Sequence, residues 1–207
     1  MAQTNEMAIA SGRGRFDEFL TDVGRGVGPA TSVDDGADRM VAAERGASGA
    51  AVRARYEAGA SELRALLAAI DPHRRVDWVA GQLSARTLAT TRLAETWIHT
   101  GDVAEALDVE LPPAPRLRHI ARLAWRTIPY AFTSAGRELH GPVAFRLRGP
   151  NGDAWDFTSD EQAVTTIGGD GFELCLVAAR RVDPATTSLT GQGPDVDAVL
   201  QLVRTYA

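Results

Sequence analysis

The chain has no lysine: all 22 basic residues among its 207 are arginine. That excludes lysine Schiff-base chemistry and a Walker-type phosphate lysine. It has one cysteine, Cys175, so no internal disulfide forms and the fold does not depend on an oxidising compartment. Between Leu174 and Leu176, that thiol reads as a small buried hydrophobe rather than a nucleophile. Long apolar runs are missing too, as is a charged-then-apolar N-terminus, which argues against a membrane span or a secretory signal. A cytoplasmic location is expected. There is no basic surplus: the net charge is −5 and the pI about 5.4, so no nucleic-acid partner is expected. Gly-x-Ser-x-Gly, Cys-x-x-Cys and His-Glu-x-x-His are all absent. The glycine-rich segments 168–171 and 191–193 lack the strand-then-helix context of a phosphate loop and read as turns.

What is present is the composition of a soluble globular protein, 44% hydrophobic and 24% charged, long enough for one large or two small domains. Residues 1–14 show no sustained period and are expected to be a frayed, disordered end. Phe16, Phe19, Leu20 and Val23 then recur at helical spacing up to Gly24 and Gly26, and residues 34–45 are weakly patterned. Residues 47–70 form a convincing helix on Val52, Tyr56, Leu63, Leu66, Leu67 and Ile70. Ser84 is a plausible N-cap for a helix running to about 107, and Pro112, Pro113 and Pro115 separate it from another bearing Leu117, Ile120, Ala121, Ala124 and Ile128. The character changes at Gly136. Val143, Phe145 and Leu147 alternate into a tight turn at 150–153 and return through Trp155 and Phe157, which predicts a hairpin. Residues 164–167 add a strand, 172–181 a short helix and 188–190 an edge strand, and Asp195 is expected to cap a last helix. The expectation is an α+β chain: a helical bundle over 15–137 and a small α+β domain over 138–207.

Residues 87–102 hold the one spacing that resembles a site. Glu95 and His99 are four apart, so on a helix they emerge on one face, with Arg92 before them and Asp102 after them along the same row. Turned towards a core, such groups are costly unless paired with one another or with a metal. The spacing leaves two readings open. One is a buried Arg92–Glu95–His99 network. The other is two thirds of a His/His/Glu site for a divalent ion that activates water or a thiol. His119, near the start of the following helix, faces either that row or solvent, and His73 and His140 sit in loops.

The Glu-x-Trp-x-His-x-x-Asp-Val core of residues 92–107, with the Arg-Leu-Arg-His run at 116–123, resembles the mycothiol-dependent maleylpyruvate isomerase family, a branch of the DinB-like metal-binding bundles. Residues 172–181 resemble the domain that follows the bundle in such proteins, sometimes labelled a wyosine-base-formation domain; one cysteine excludes iron–sulfur radical chemistry there. The resemblance implies a four-helix antiparallel bundle and a divalent ion, often zinc, held by Glu95, His99 and a histidine from the first bundle helix. It also implies a low-molecular-weight thiol cofactor, mycothiol, whose thiolate adds to or displaces a group on a small-molecule substrate, and Arg180 or Arg181 to neutralise an acidic substrate or the cofactor. No histidine precedes His73, so the first helix and its ligand are expected to be missing, leaving the bundle incomplete. Three explanations compete: a start placed too far downstream, a cavity that has lost its metal, or a partner subunit, as in a homodimer, covering the groove. His119 is the nearest substitute ligand. The expected function is a metal- and thiol-dependent isomerase or transferase using Arg92, Glu95 and His99. The alternative is a metal-free small-molecule-binding or biosynthetic accessory protein.

Overall fold

The computed structural model describes residues 1–24, 31–79 and 81–205, and the molecule divides into two compact units, Met1–Thr96 and Trp97–Ala207. The first unit contains α1 (Ala2–Gly12), α2 (Phe16–Gly24), α3 (Val33–Glu44), α4 (Gly49–Ala69), a two-residue ribbon β1 (Arg75–Val76) with β2 (Leu83–Ser84), and the first half of α5 (Ala85–Ala106). Gly26, expected to help stop α2, lies outside the described residues.

Residues 1–14 correct the expectation of a frayed end. They form α1, with Ala2, Asn5 and residues 7–12 buried, packed along α4. No amphipathic period shows because the helix is enclosed on most sides. Small residues permit that closeness: a β-carbon on Gly12 would lie 2.7 Å from Leu66 Cδ2, and one on Gly59 3.5 Å from the Asn5 β-carbon. Around this contact Ala8, Ile9, Leu63, Val76 and Leu88 form the core, with Leu66, Leu67 and Trp78 against it. Helix α4 starts at Ser48, whose hydroxyl accepts from the Ala51 amide, and α5 starts after Ser84, whose hydroxyl accepts from the Thr87 amide at 3.2 Å.

The second unit takes the last half of α5, then α6 (Leu117–Arg126), α7 (Ile128–Ser134), α8 (Gly171–Ala178) and α9 (Val196–Leu202). Its sheet has the order β4 (Ala154–Phe157), β3 (Val143–Arg148), β5 (Thr165–Asp170), β6 (Thr190–Gln192). The predicted hairpin is β3–β4, registered Phe145 to Phe157 and Leu147 to Trp155; β5 joins the far side of β3 in parallel and β6 closes the edge antiparallel. Phe145, Leu147, Trp155, Phe157 and Ile167 are buried, as are Leu117, Ile120, Ala121 and Ala124 of α6 and Leu174, Cys175, Val177 and Ala178 of α8. The chain is therefore α+β with an N-terminal helical domain, and none of its described helices is long and apolar enough to cross a membrane.

Two local details depart from the sequence reading. The stripe expected to run to Ile128 in one helix is broken at Thr127, where Pro129 opens α7 and the Thr127 hydroxyl donates to the Arg204 carbonyl at 2.6 Å. Asp195 precedes α9 but makes no side-chain cap. Its carboxylate instead accepts from the His140 backbone amide at 3.0 Å and pairs with His140 Nδ1 at 2.8 Å, tying the approach to β3 onto the start of α9.

Candidate functional site

The polar row of α5 divides between the two units. In the first, Arg92 is only 4% exposed. Its Nη2 donates to Thr4 Oγ1 at 2.9 Å and Asn5 Oδ1 at 3.4 Å, both on α1, while its Nε is buried with no hydrogen-bond partner. Burial holds the Arg92 pKa below the ordinary arginine value, and the nearby charge of Glu95 works against that shift. Glu95 itself is half-buried. The α1 face towards Arg92 thus carries two neutral oxygens.

In the second unit the last turns of α5 and the face of α8 form a cleft of about 120 Å³. Trp97, Ile98, Gly101, Asp102 and Glu105 lie at i, i+1, i+4, i+5 and i+8, which is one side of a helix. Phe172, Leu176 and Ala179 supply the facing side at i, i+4 and i+7, with Leu111 and Arg181 completing it. The rings of Trp97 and Phe172 meet edge to face, their centroids 6.1 Å apart.

Three side chains form a chain of bonds beside this cleft, of which Asp102 and Arg181 line it and His99 lies outside the lining. Arg181 donates from Nε to Asp102 Oδ1 at 2.6 Å and from Nη2 to Oδ2 at 2.8 Å, the two-pronged geometry that a planar guanidinium offers a carboxylate. His99 Nδ1 lies 3.0 Å from the same Oδ2, and the imidazole is exposed. Arg181, and secondarily His99, pull the Asp102 pKa down to about 2. The Arg181 Nη1 donates to the Ala179 carbonyl at 2.9 Å. Arg180, the other arginine expected to hold a cofactor, sits in the left-handed region at φ 60 as α8 ends, and its Nη1 donates to the Gln201 carbonyl at 2.6 Å. That turn sends the two neighbouring arginines to different places. The Asp102–Arg181 pairing and the Trp97–Phe172 ring contact are what the sequence reading lacks. The His99–Asp102 spacing of three was a usable signal; Arg181, 79 positions away, had none.

A metal is the group that the resemblance implies first, and the residues present do not fit it. Among the described residues no three His, Cys, Asp or Glu groups come together as ligands. His99 directs Nδ1 to a carboxylate already held by a guanidinium, and His119 is an exposed residue in the first turn of α6. A catalytic zinc needs three protein ligands. No chemical step is therefore derived through an ion. The cleft also bounds a thiol cofactor: ligand pockets usually run from about 300 to 1,000 Å³, so 120 Å³ admits the reacting end of such a molecule and not the whole of it.

Comparison with known proteins adds three findings. The sequence model of the mycothiol maleylpyruvate isomerase N-terminal domain matches residues 7–104, which includes most of α1 and nearly all of α5. Two uncharacterized proteins of Mycobacterium tuberculosis, one from each of two strains, are each 32% identical over 193 residues, covering 93% of this chain and 72% of the relative. No solved structure matches the chain.

Proposed function

Because the chain belongs to the mycothiol maleylpyruvate isomerase-like family, we propose that it is a thiol-dependent isomerase or transferase for a small organic molecule, with His99 as its proton-handling group. The observation that carries this reading is the His99–Asp102–Arg181 chain, which joins an exposed imidazole to two residues that line the apolar cleft. With Nδ1 donating to Asp102, the neutral imidazole carries its lone pair on Nε2. A bound low-molecular-weight thiol of the mycothiol type supplies the nucleophile, which is the thiolate rather than the thiol. His99 Nε2 takes the sulfur-bound proton, and Asp102 stabilises the imidazolium that results. Arg181 fixes Asp102, and so fixes the ring. When the substrate group is released or the double bond reforms, the imidazolium returns its proton. Trp97 and Phe172 keep water from the reacting end.

One observation favours a second reading, a metal-free small-molecule-binding protein that uses the same cleft. Asp102 serves two masters: the bidentate Arg181 bond that lowers its pKa to about 2 also makes it a weaker acceptor for a developing imidazolium. The two readings separate in an assay of thiol addition to an activated small electrophile, run with and without chelator. The enzymatic reading expects turnover that survives chelation and falls by about a hundredfold or more in His99→Gln, as removal of a general base does. Thiol-independent binding without turnover leaves the second reading standing.

A further inference from the structure

We infer that the cleft beside Trp97 takes an uncharged or cationic apolar group, an aryl or short alkyl end, and rejects an acid. This rests on the reading of the cleft as the ligand site and departs from one of the roles that the resemblance implied for Arg180 or Arg181, to neutralise an acidic substrate or the cofactor. The surfaces of Ile98, Leu111, Leu176 and Ala179 and the two rings make the interior apolar. Its charged groups are two carboxylates, Asp102 and Glu105, and one guanidinium, Arg181. The lining therefore carries one negative charge in excess.

The guanidinium is not available to an incoming acid. Nε and Nη2 of Arg181 are on Asp102, and Nη1 is on the Ala179 carbonyl. An anionic ligand that took Arg181 would have to break a bidentate bond and leave the Asp102 carboxylate bare beside itself, with Glu105 nearby; both steps oppose binding. Arg180 does not replace it, since it is turned to the Gln201 carbonyl by its left-handed backbone. A neutral aryl group meets none of these costs and can pack on the Trp97–Phe172 pair. A cation gains in addition from ring faces and from the two carboxylates. The volume, about 120 Å³, sets the size at a single ring or short chain.

Three probes of one size test this with the full chain: benzyl alcohol, benzylammonium and benzoate, titrated by calorimetry and by the indole N–H resonance of Trp97, assigned with Trp97→Phe. Benzyl alcohol and benzylammonium are expected to bind at least about tenfold more tightly than benzoate and to shift the Trp97 signal, a difference of ~1.4 kcal/mol. In Asp102→Asn, which replaces the bidentate ion pair on Nε and Nη2 of Arg181 with a neutral amide and removes one carboxylate, the order should reverse in favour of benzoate. Should that variant fail to fold, Glu105→Gln is expected to weaken benzylammonium about threefold relative to benzyl alcohol. Benzoate binding tightest to the wild type overturns the inference, and so does an order unmoved by either variant or the absence of any shift at Trp97. Thiol turnover is read separately. A protein that keeps the predicted probe order but turns nothing over refutes the enzymatic reading alone, while turnover combined with benzoate preference refutes the selectivity alone.

Discussion

Arg92 shows how a single buried charge sets requirements on the residues around it. Its guanidinium is nearly solvent-free, one nitrogen has no acceptor, and its two hydrogen-bonded contacts are the neutral oxygens of Thr4 and Asn5. Removing Asn5 Oδ1 leaves the cation more poorly satisfied, so Asn5→Ala is expected to lower stability by ~1–3 kcal/mol, the cost of leaving a buried donor unmade. Urea unfolding measures this, and a loss within error would show that Thr4 alone suffices. Asp195 is the opposite case, a buried carboxylate that is well served. Burial pushes its pKa up, but the hydrogen bonds from His140 outweigh that, and the net shift is downward from the ordinary value of 3.8. A group whose folded pKa is depressed contributes stability that is present above its unfolded value and lost as pH falls through the folded one. Acid titration followed by circular dichroism should therefore show stability declining below about pH 3.8, with Asp102 adding to the loss down to about 2. Asp195→Asn should flatten the first part of that slope. An unchanged slope would remove Asp195 from the account.

At the scale of elements, close approach matters more than propensity. Gly171 opens α8 where a β-carbon would lie 2.6 Å from Trp155 Cε3 and 3.2 Å from the Arg148 carbonyl oxygen, so the helix that carries Phe172 and Leu176 is seated on the sheet through a residue without a side chain. Gly171→Ala should destabilise by ~1–3 kcal/mol through overpacking and disturb the cleft with it. Thermal melts and the Trp97 resonance report the two effects. Helix α2 and the β3–β4 hairpin were legible in the sequence because each shows a period, α4 from apolar residues recurring up to Ile70, and α5 from the Ser84 cap before it and the prolines after it. Helix α1 was not, because a helix buried on most sides and built on Ala, Ser and Gly has no period to read. Arg92, Glu95 and His99 could be placed on one helix from spacing alone, but not their partners. Thr4 and Asn5 lie nearly ninety positions from Arg92 and Arg181 lies 79 from Asp102, and only the fold joins them. Asp195 was misread for a related reason: an aspartate before a helix is usually its cap, and here a distant histidine outcompetes the helix amides.

For the whole molecule the decisive element is α5, which gives residues 85–96 to one compact unit and 97–106 to the other without a break. Helix formation is cooperative and a helix interior tolerates interruption poorly, so melting one half of α5 exposes hydrogen-bonding groups in the half that remains. The two units are therefore expected to unfold together. Trp97, Trp125 and Trp155 belong to the second unit and Trp78 to the first, so tryptophan fluorescence weights the second, whereas far-ultraviolet circular dichroism sums helix from both. In the wild type the two signals should trace one coincident transition. Thr96→Pro at the junction removes an intrahelical hydrogen bond and costs about 3 kcal/mol within a helix. If the shared helix is what couples the units, that substitution should split the transition, with the fluorescence and dichroism midpoints separating. A single coincident transition that merely moves to lower temperature would mean that contacts other than the continuity of α5 hold the units to one melting event.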